Sequence, residues 1–239
     1  MSRPTTPIIW HLCRNVDCAI TALYDWQTLV GSLIALGAAI WAGRLVLKQI
    51  RQSEVQETTR RQQRFIAARS TLPLTLSAMA NYAADMAHRL KTFKLAVERE
   101  HLQGLLLEPV PPPSDAITAL ERMIEATDNP NVTKMLRKML SEVQLLQSRS
   151  AELGRVNFGE RVGISHNVDV YILQCATIYA QASALFDFAR FANDDVGETV
   201  TWAGAYNALN VMGIRDLEFP ALYELCRNVQ ANGNGPESP

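Results

Sequence analysis

The chain has 239 residues, enough for one domain with an appendage or for two small domains. With 48% apolar and 20% charged residues it is not a disordered polymer. Its net charge of -1 hides seven basic residues between Arg44 and Arg69, against Glu54 and Glu57, and a body from residue 70 onward with 14 basic and 20 acidic groups. Such a body repels a phosphate backbone, so no nucleic-acid partner is expected.

Residues 1–25 form a short segment, too short to fold a ligand-binding domain of its own. Ile8, Ile9, Trp10, Leu12, Val16, Ile20 and Leu23 allow an interfacial helix over residues 8–24. Cys13 and Cys18 lie in this stretch, and a bridge between them requires a non-helical loop. In a helix, five residues turn the chain about 140° past a full circle, beyond disulfide geometry.

From Trp26 to Gly43 there are 18 consecutive uncharged residues, rich in Leu, Ile, Val, Ala and Gly. With Arg44 snorkelling, Leu45, Val46 and Leu47 extend the run to residues 26–47, long enough for a hydrocarbon core of about 30 Å. Tyr24, Trp26 and Trp41 suit the interfacial belts. A buried core helix of a soluble protein is the rival reading, and the length of the run counts against it. A cleaved signal peptide fits less well, because no basic region precedes the run. The basic excess on the C-terminal side predicts that this side stays in the cytoplasm, with the N-terminus outside. The same stretch is also a candidate contact for anionic lipid. Gly31, Ala35, Ala39 and Gly43 recur every four residues and allow a second helix to approach one face closely. The order of a short outer segment, an entry through Asp25-Trp26-Gln27-Thr28-Leu29 and a basic exit resembles small bacterial membrane proteins. That resemblance implies a bacterial inner-membrane location and no site residue.

Residues 48–71 read as a solvated basic stalk that continues the helix, with Pro73 expected to kink or restart it. Leu72, Leu76, Met79, Ala83, Met86, Leu90, Phe93 and Val97 then step by alternating fours and threes, an a/d stripe that needs a partner surface. The helix is expected to end near Gly104, and Glu108 to Ser114 reads EPVPPPS, a stiff connector. Ser114 is expected to cap a short helix burying Ile117, Leu120 and Ile124. Pro130 opens another, with Val132, Met135, Leu136, Met139, Val143, Leu146 and Leu153 on its apolar face. Residues 154–166 read as a glycine-bearing loop. A helix then runs from about Asn167 to Ala192, burying Val168, Ile172, Cys175, Tyr179, Ala182, Phe186 and Ala189. Two more helices follow, at 198–212 and from Pro220, before a tail at 232–239 expected to be disordered. The fold class is thus all-α: one transmembrane helix followed by a cytoplasmic multi-helix bundle over residues 72–231.

No phosphate loop, nucleophile elbow or CxxC is present, and no histidine pair has ligand spacing. His11, His88, His101 and His166 are scattered, His166 reading as a loop or capping residue. Glu98 and Glu100 read as a solvated helix end, Asp194 and Asp195 as turn residues. No catalytic, cofactor or metal site is assigned, and no cofactor is expected. The preferred expectation is a membrane-anchored interaction or scaffold module whose partners are the bilayer, a second copy of itself and a cytoplasmic protein. The alternative is a membrane-tethered enzyme with an interhelical pocket lined by Tyr171, Tyr179, Trp202 and Tyr206.

Overall fold

Pro73 does not restart the helix. In the computed structural model, α1 runs as one helix from Ile9 to Glu98 with Pro73 inside it. The residues described are 9–98, 107, 110–153, 161–194, 196–197 and 199–231. The expected helix end at Gly104, most of the 154–166 loop and the 232–239 tail therefore lie outside the described residues. After α1 come α2 (Ser114–Ala126), α3 (Pro130–Leu153), α4 (Arg161–Ala184), α5 (Phe186–Ala189), α6 (Trp202–Val211) and α7 (Pro220–Ala231). There is no strand among the described residues. The chain is all-α.

Two compact units divide the chain, residues 1–60 and residues 61–239. In the first, α1 includes a stretch near the N-terminus that is long and apolar enough to cross a membrane. Every residue from 29 to 60 is exposed, Leu33, Ile34, Leu36, Ile40 and Trp41 included. A core helix of a soluble protein would bury such side chains, each worth about 1.5–3 kcal/mol. Cys13 and Cys18 both fall within α1, which removes the non-helical loop that a bridge between them needs.

The second unit is a helical bundle on one core. The stripe read from the sequence is what α1 contributes: Leu72, Leu76, Met79, Ala83, Met86 and Leu90 are fully buried, Phe93 nearly so and Val97 partly. The apolar face of α3 is equally as expected, from Val132 to Leu153. Its first turn is held by Asn129, whose Oδ1 accepts from the amides of Asn131 (3.0 Å) and Val132 (3.3 Å), with Pro130 at the first helical position. The face of α2 is rotated slightly from expectation, burying Ala116, Leu120 and Met123. Ser114 is its first helical residue and not its cap; Pro113 stands at the cap position with no side-chain bond.

Two boundaries differ more. Helix α4 begins at Arg161, several residues before the expected Asn167, so His166 lies inside a helix and not in a loop. It ends at Ala184, with the single turn α5 after it. Helix α4 packs against α3, α5, α6 and α7. Residues 172–178 are consequently buried all round, the pattern of a central helix rather than an amphipathic one.

The ends of α5 and α6 use the same device. After α6, Gly213 has φ 72°, and the amides of Ile214 and Gly213 donate to the carbonyls of Leu209 and Asn210. That is a Schellman cap, with glycine in the left-handed position. After α5 the same bonds run from Ala192 to Asp187 and from Phe191 to Phe188, but the residue with φ 61° is Phe191. A phenylalanine there costs about 1–2 kcal/mol relative to the right-handed region.

Candidate functional site

Gly31, Ala35, Ala39 and Gly43, the candidate helix-contact positions, share the exposed stretch of α1. A Cβ added at Gly31 or Gly43 would meet no atom within 4 Å. The face is therefore open, and flat enough for close approach of another backbone. Just beyond it, Arg44, Lys48 and Arg51 are exposed at spacings of four and three along the same helix.

Within the bundle the polar side chains that sequence reasoning passed over are the ones that tie helices together. Lys94 of α1 and Asp169 of α4 form a buried ion pair, with Nζ 2.5 Å from Oδ1 and 2.7 Å from Oδ2. The Lys94 ammonium also lies 5.1 Å from the Phe219 ring centroid and 3.8 Å from Glu98. Two carboxylate oxygens and an aromatic face replace the water it loses. A signal was present: Lys94 follows Phe93 in the apolar stripe, and Asp169 sits between Val168 and Val170.

Arg69 is 4% exposed and holds the loop after α5. Its Nε donates to the Phe188 carbonyl at 2.7 Å, Nη1 to Asp194 Oδ1 at 2.6 Å and Nη2 to the Asn193 carbonyl at 3.2 Å. The guanidinium carbon sits 4.1 Å from the Phe188 ring centroid and 4.3 Å from that of Phe191. The strained Phe191 is thus stacked on a fixed cation, which offsets part of its backbone cost. From the other side, the side-chain Nδ2 groups of Asn129 and Asn131 donate to the carbonyls of Asp194 and Val196.

Elsewhere Gln174 of α4 donates to the side chain (2.6 Å) and carbonyl (3.0 Å) of Glu142 on α3. Lys91 joins α1 to the turn before α7, bonding the Gly213 carbonyl and Glu218. The Tyr223 hydroxyl donates to the Ile214 carbonyl at 2.6 Å, and burial pushes its pKa up to about 12. The hydroxyl of Tyr82 and Oε1 of Gln181 are buried with no partner among the described residues.

The aromatics of the enzyme alternative are engaged in packing. Tyr171, Tyr179 and Trp202 are partly buried against the core, with Arg149 over the Tyr171 ring. Tyr206 meets Tyr223 edge-on at 4.9 Å. His88 and His166 are exposed, and no group of three His, Cys, Asp or Glu among the described residues is placed to hold a metal. His101, Glu100 and Asp195 lie outside the described residues. Cys175 and Cys226 are buried free thiols; desolvation raises the first well above the ordinary thiol range and the second to about 11. Neither has the electropositive, accessible setting of a nucleophile.

No family model, no curated protein and no solved structure matches the chain.

Proposed function

We propose that the protein is a membrane-anchored interaction module. Residues 26–47 cross a bacterial inner membrane with the N-terminus outside. The helical bundle, on the cytoplasmic side, acts through contacts with a second copy and with a cytoplasmic protein. The observation that carries this reading is the exposure of an apolar helix, residue after residue from 29 to 47, among the described residues. Such a surface is unstable in water and stable in lipid. Polarity of insertion rests on the basic residues after the span. Association with a second copy rests on the open face at Gly31, Ala35, Ala39 and Gly43.

The test is made on the intact chain. Alkaline carbonate should leave it in the membrane pellet, whereas a truncated chain beginning at Ser53 should be soluble; release of the intact chain would refute the anchor. Replacing Ala35 and Ala39 by Leu should weaken self-association in a membrane two-hybrid assay. An undiminished signal would remove the small-residue face from the proposal while leaving the anchor intact.

A further inference from the structure

At the end of the apolar run the helix does not break, and its continuity fixes where the next charges fall. Arg44, Lys48 and Arg51 follow at i, i+4 and i+7, so they share one face of α1. All three are exposed, and no acidic residue occurs between Arg44 and Ser53. At about 1.5 Å per residue the three groups span only roughly 10 Å of helix axis, within reach of a headgroup layer about 5–8 Å deep on each side of the core. Arg60 comes 16 residues after Arg44, about 24 Å further along the axis and beyond a Debye length of about 8 Å.

The opposite side of the same helix is different. At about 100° per residue, Ala35, Ala39, Val46 and Ile50 lie on the side turned away from the three basic residues. A helix pairing through its small-residue face would therefore keep its cations out of the contact and aim them at lipid. Arginine presents a planar fork that matches a phosphodiester, and lysine supplies a point charge.

We propose that Arg44, Lys48 and Arg51 form a docking face for anionic phospholipid headgroups in the leaflet at the C-terminal end of the span. This inference rests on the reading of residues 26–47 as a membrane span, and its test separates the two. The full chain is reconstituted into phosphatidylcholine vesicles containing trace spin-labelled phosphatidylglycerol or spin-labelled phosphatidylcholine. The motionally restricted fraction of each probe is then measured. Wild type should restrict the anionic probe more than the zwitterionic one, with a preference that fades in concentrated salt. R44Q/R51Q should lose on the order of tenfold in relative affinity for the anionic probe, taking about fivefold per basic group as the upper range. R60Q/R64Q removes the same charge further along the chain and should leave the preference intact.

Failure of the chain to float with the vesicles would overturn the span, and this inference with it. Flotation without a preference for the anionic probe would overturn the headgroup face alone. So would a preference that R60Q/R64Q lowers as much as R44Q/R51Q, since diffuse charge would then suffice.

Discussion

Lys94→Met is the sharpest test of how the bundle is held. The substitution keeps the unbranched apolar stem of the side chain and removes the terminal ammonium with its charge. Asp169, with a side chain only 7% exposed, then keeps a carboxylate whose two oxygens have lost the ammonium. Breaking a buried pair from one side costs about 3–5 kcal/mol, because an uncompensated charge remains in the interior. For a domain of 150–250 residues about 1 kcal/mol moves the melting temperature roughly 2–4 °C, so the fall should be about 10 °C. Asp169→Leu should cost less. The lysine it strands still has Glu98 at 3.8 Å, on a side chain about half exposed, and its flexible stem can carry the ammonium towards water. The double variant Lys94→Met/Asp169→Leu removes both charges and should lie within about 1 kcal/mol of wild type. Unfolding of the bundle can be read from Cys175 and Cys226, both buried in the native state, by their rate of reaction with a thiol reagent during a thermal ramp in a Cys13→Ser/Cys18→Ser background. A double variant as unstable as Lys94→Met alone would refute the argument, since the loss would then come from packing and not from a stranded charge.

Three further outcomes follow from the same contacts. The Lys91 side-chain hydrogen bond holds the Glu218 carboxyl below its ordinary pKa. This contact therefore adds stability above the unfolded glutamate value and loses it as pH falls through the lowered folded value. A melting series in acid should show a shallower decline in Lys91→Met than in wild type. Phe191→Gly should stabilise by about 1 kcal/mol in an Arg69→Met background, where relief of the left-handed backbone is no longer opposed by loss of stacking. A denaturant midpoint that does not rise would show that φ 61° carries no strain. An impermeant maleimide applied to intact cells should label Cys13 or Cys18 and leave Cys175 and Cys226 unmodified; labelling of only the latter pair would reverse the proposed orientation.

The parts of the fold legible in the sequence are those where a helix has one wet face. The α1 stripe from Leu72 to Phe93 and the α3 face from Val132 to Leu153 were readable because polar residues fill the intervening positions. Helix α4 has no such contrast. It meets neighbours on several sides, and its periodicity is erased where residues 172–178 are all buried. Its start at Arg161 was hidden by Gly163 and Ser165, residues that ordinarily signal a loop. The stop after α5 was hidden for the converse reason. Sequence reading looks for glycine at a left-handed cap, and the chain places Phe191 there, carried by an arginine more than a hundred residues away.

That long-range dependence also explains why the polar ties could not be read in advance. An isolated Lys94 or Asp169 on an apolar face is costly, and only the other makes it tolerable. The same holds for Arg69, whose guanidinium needs the carbonyls of Phe188 and Asn193 as well as the Asp194 carboxylate. Such groups contribute little net stability compared with apolar replacements, yet they penalise any arrangement in which the partner is missing. Both ties start from α1, so each rejects a register in which α1 has slid or rotated against α4 or the loop after α5. In α1, a helix of 90 residues, small apolar side chains recur and a slip of one turn would still bury some of them. Charges at Arg69 and Lys94 discriminate between such registers where methyl groups cannot. The candidate contact face on residues 31–43 carries no charge, and the hydroxyl of Ser32 donates to the Leu29 carbonyl of its own helix, so the proposed pairing with a second helix would take its register from fit. Its small residues supply that fit only if the backbones come close, which is why Ala35→Leu and Ala39→Leu are the substitutions that bear on it.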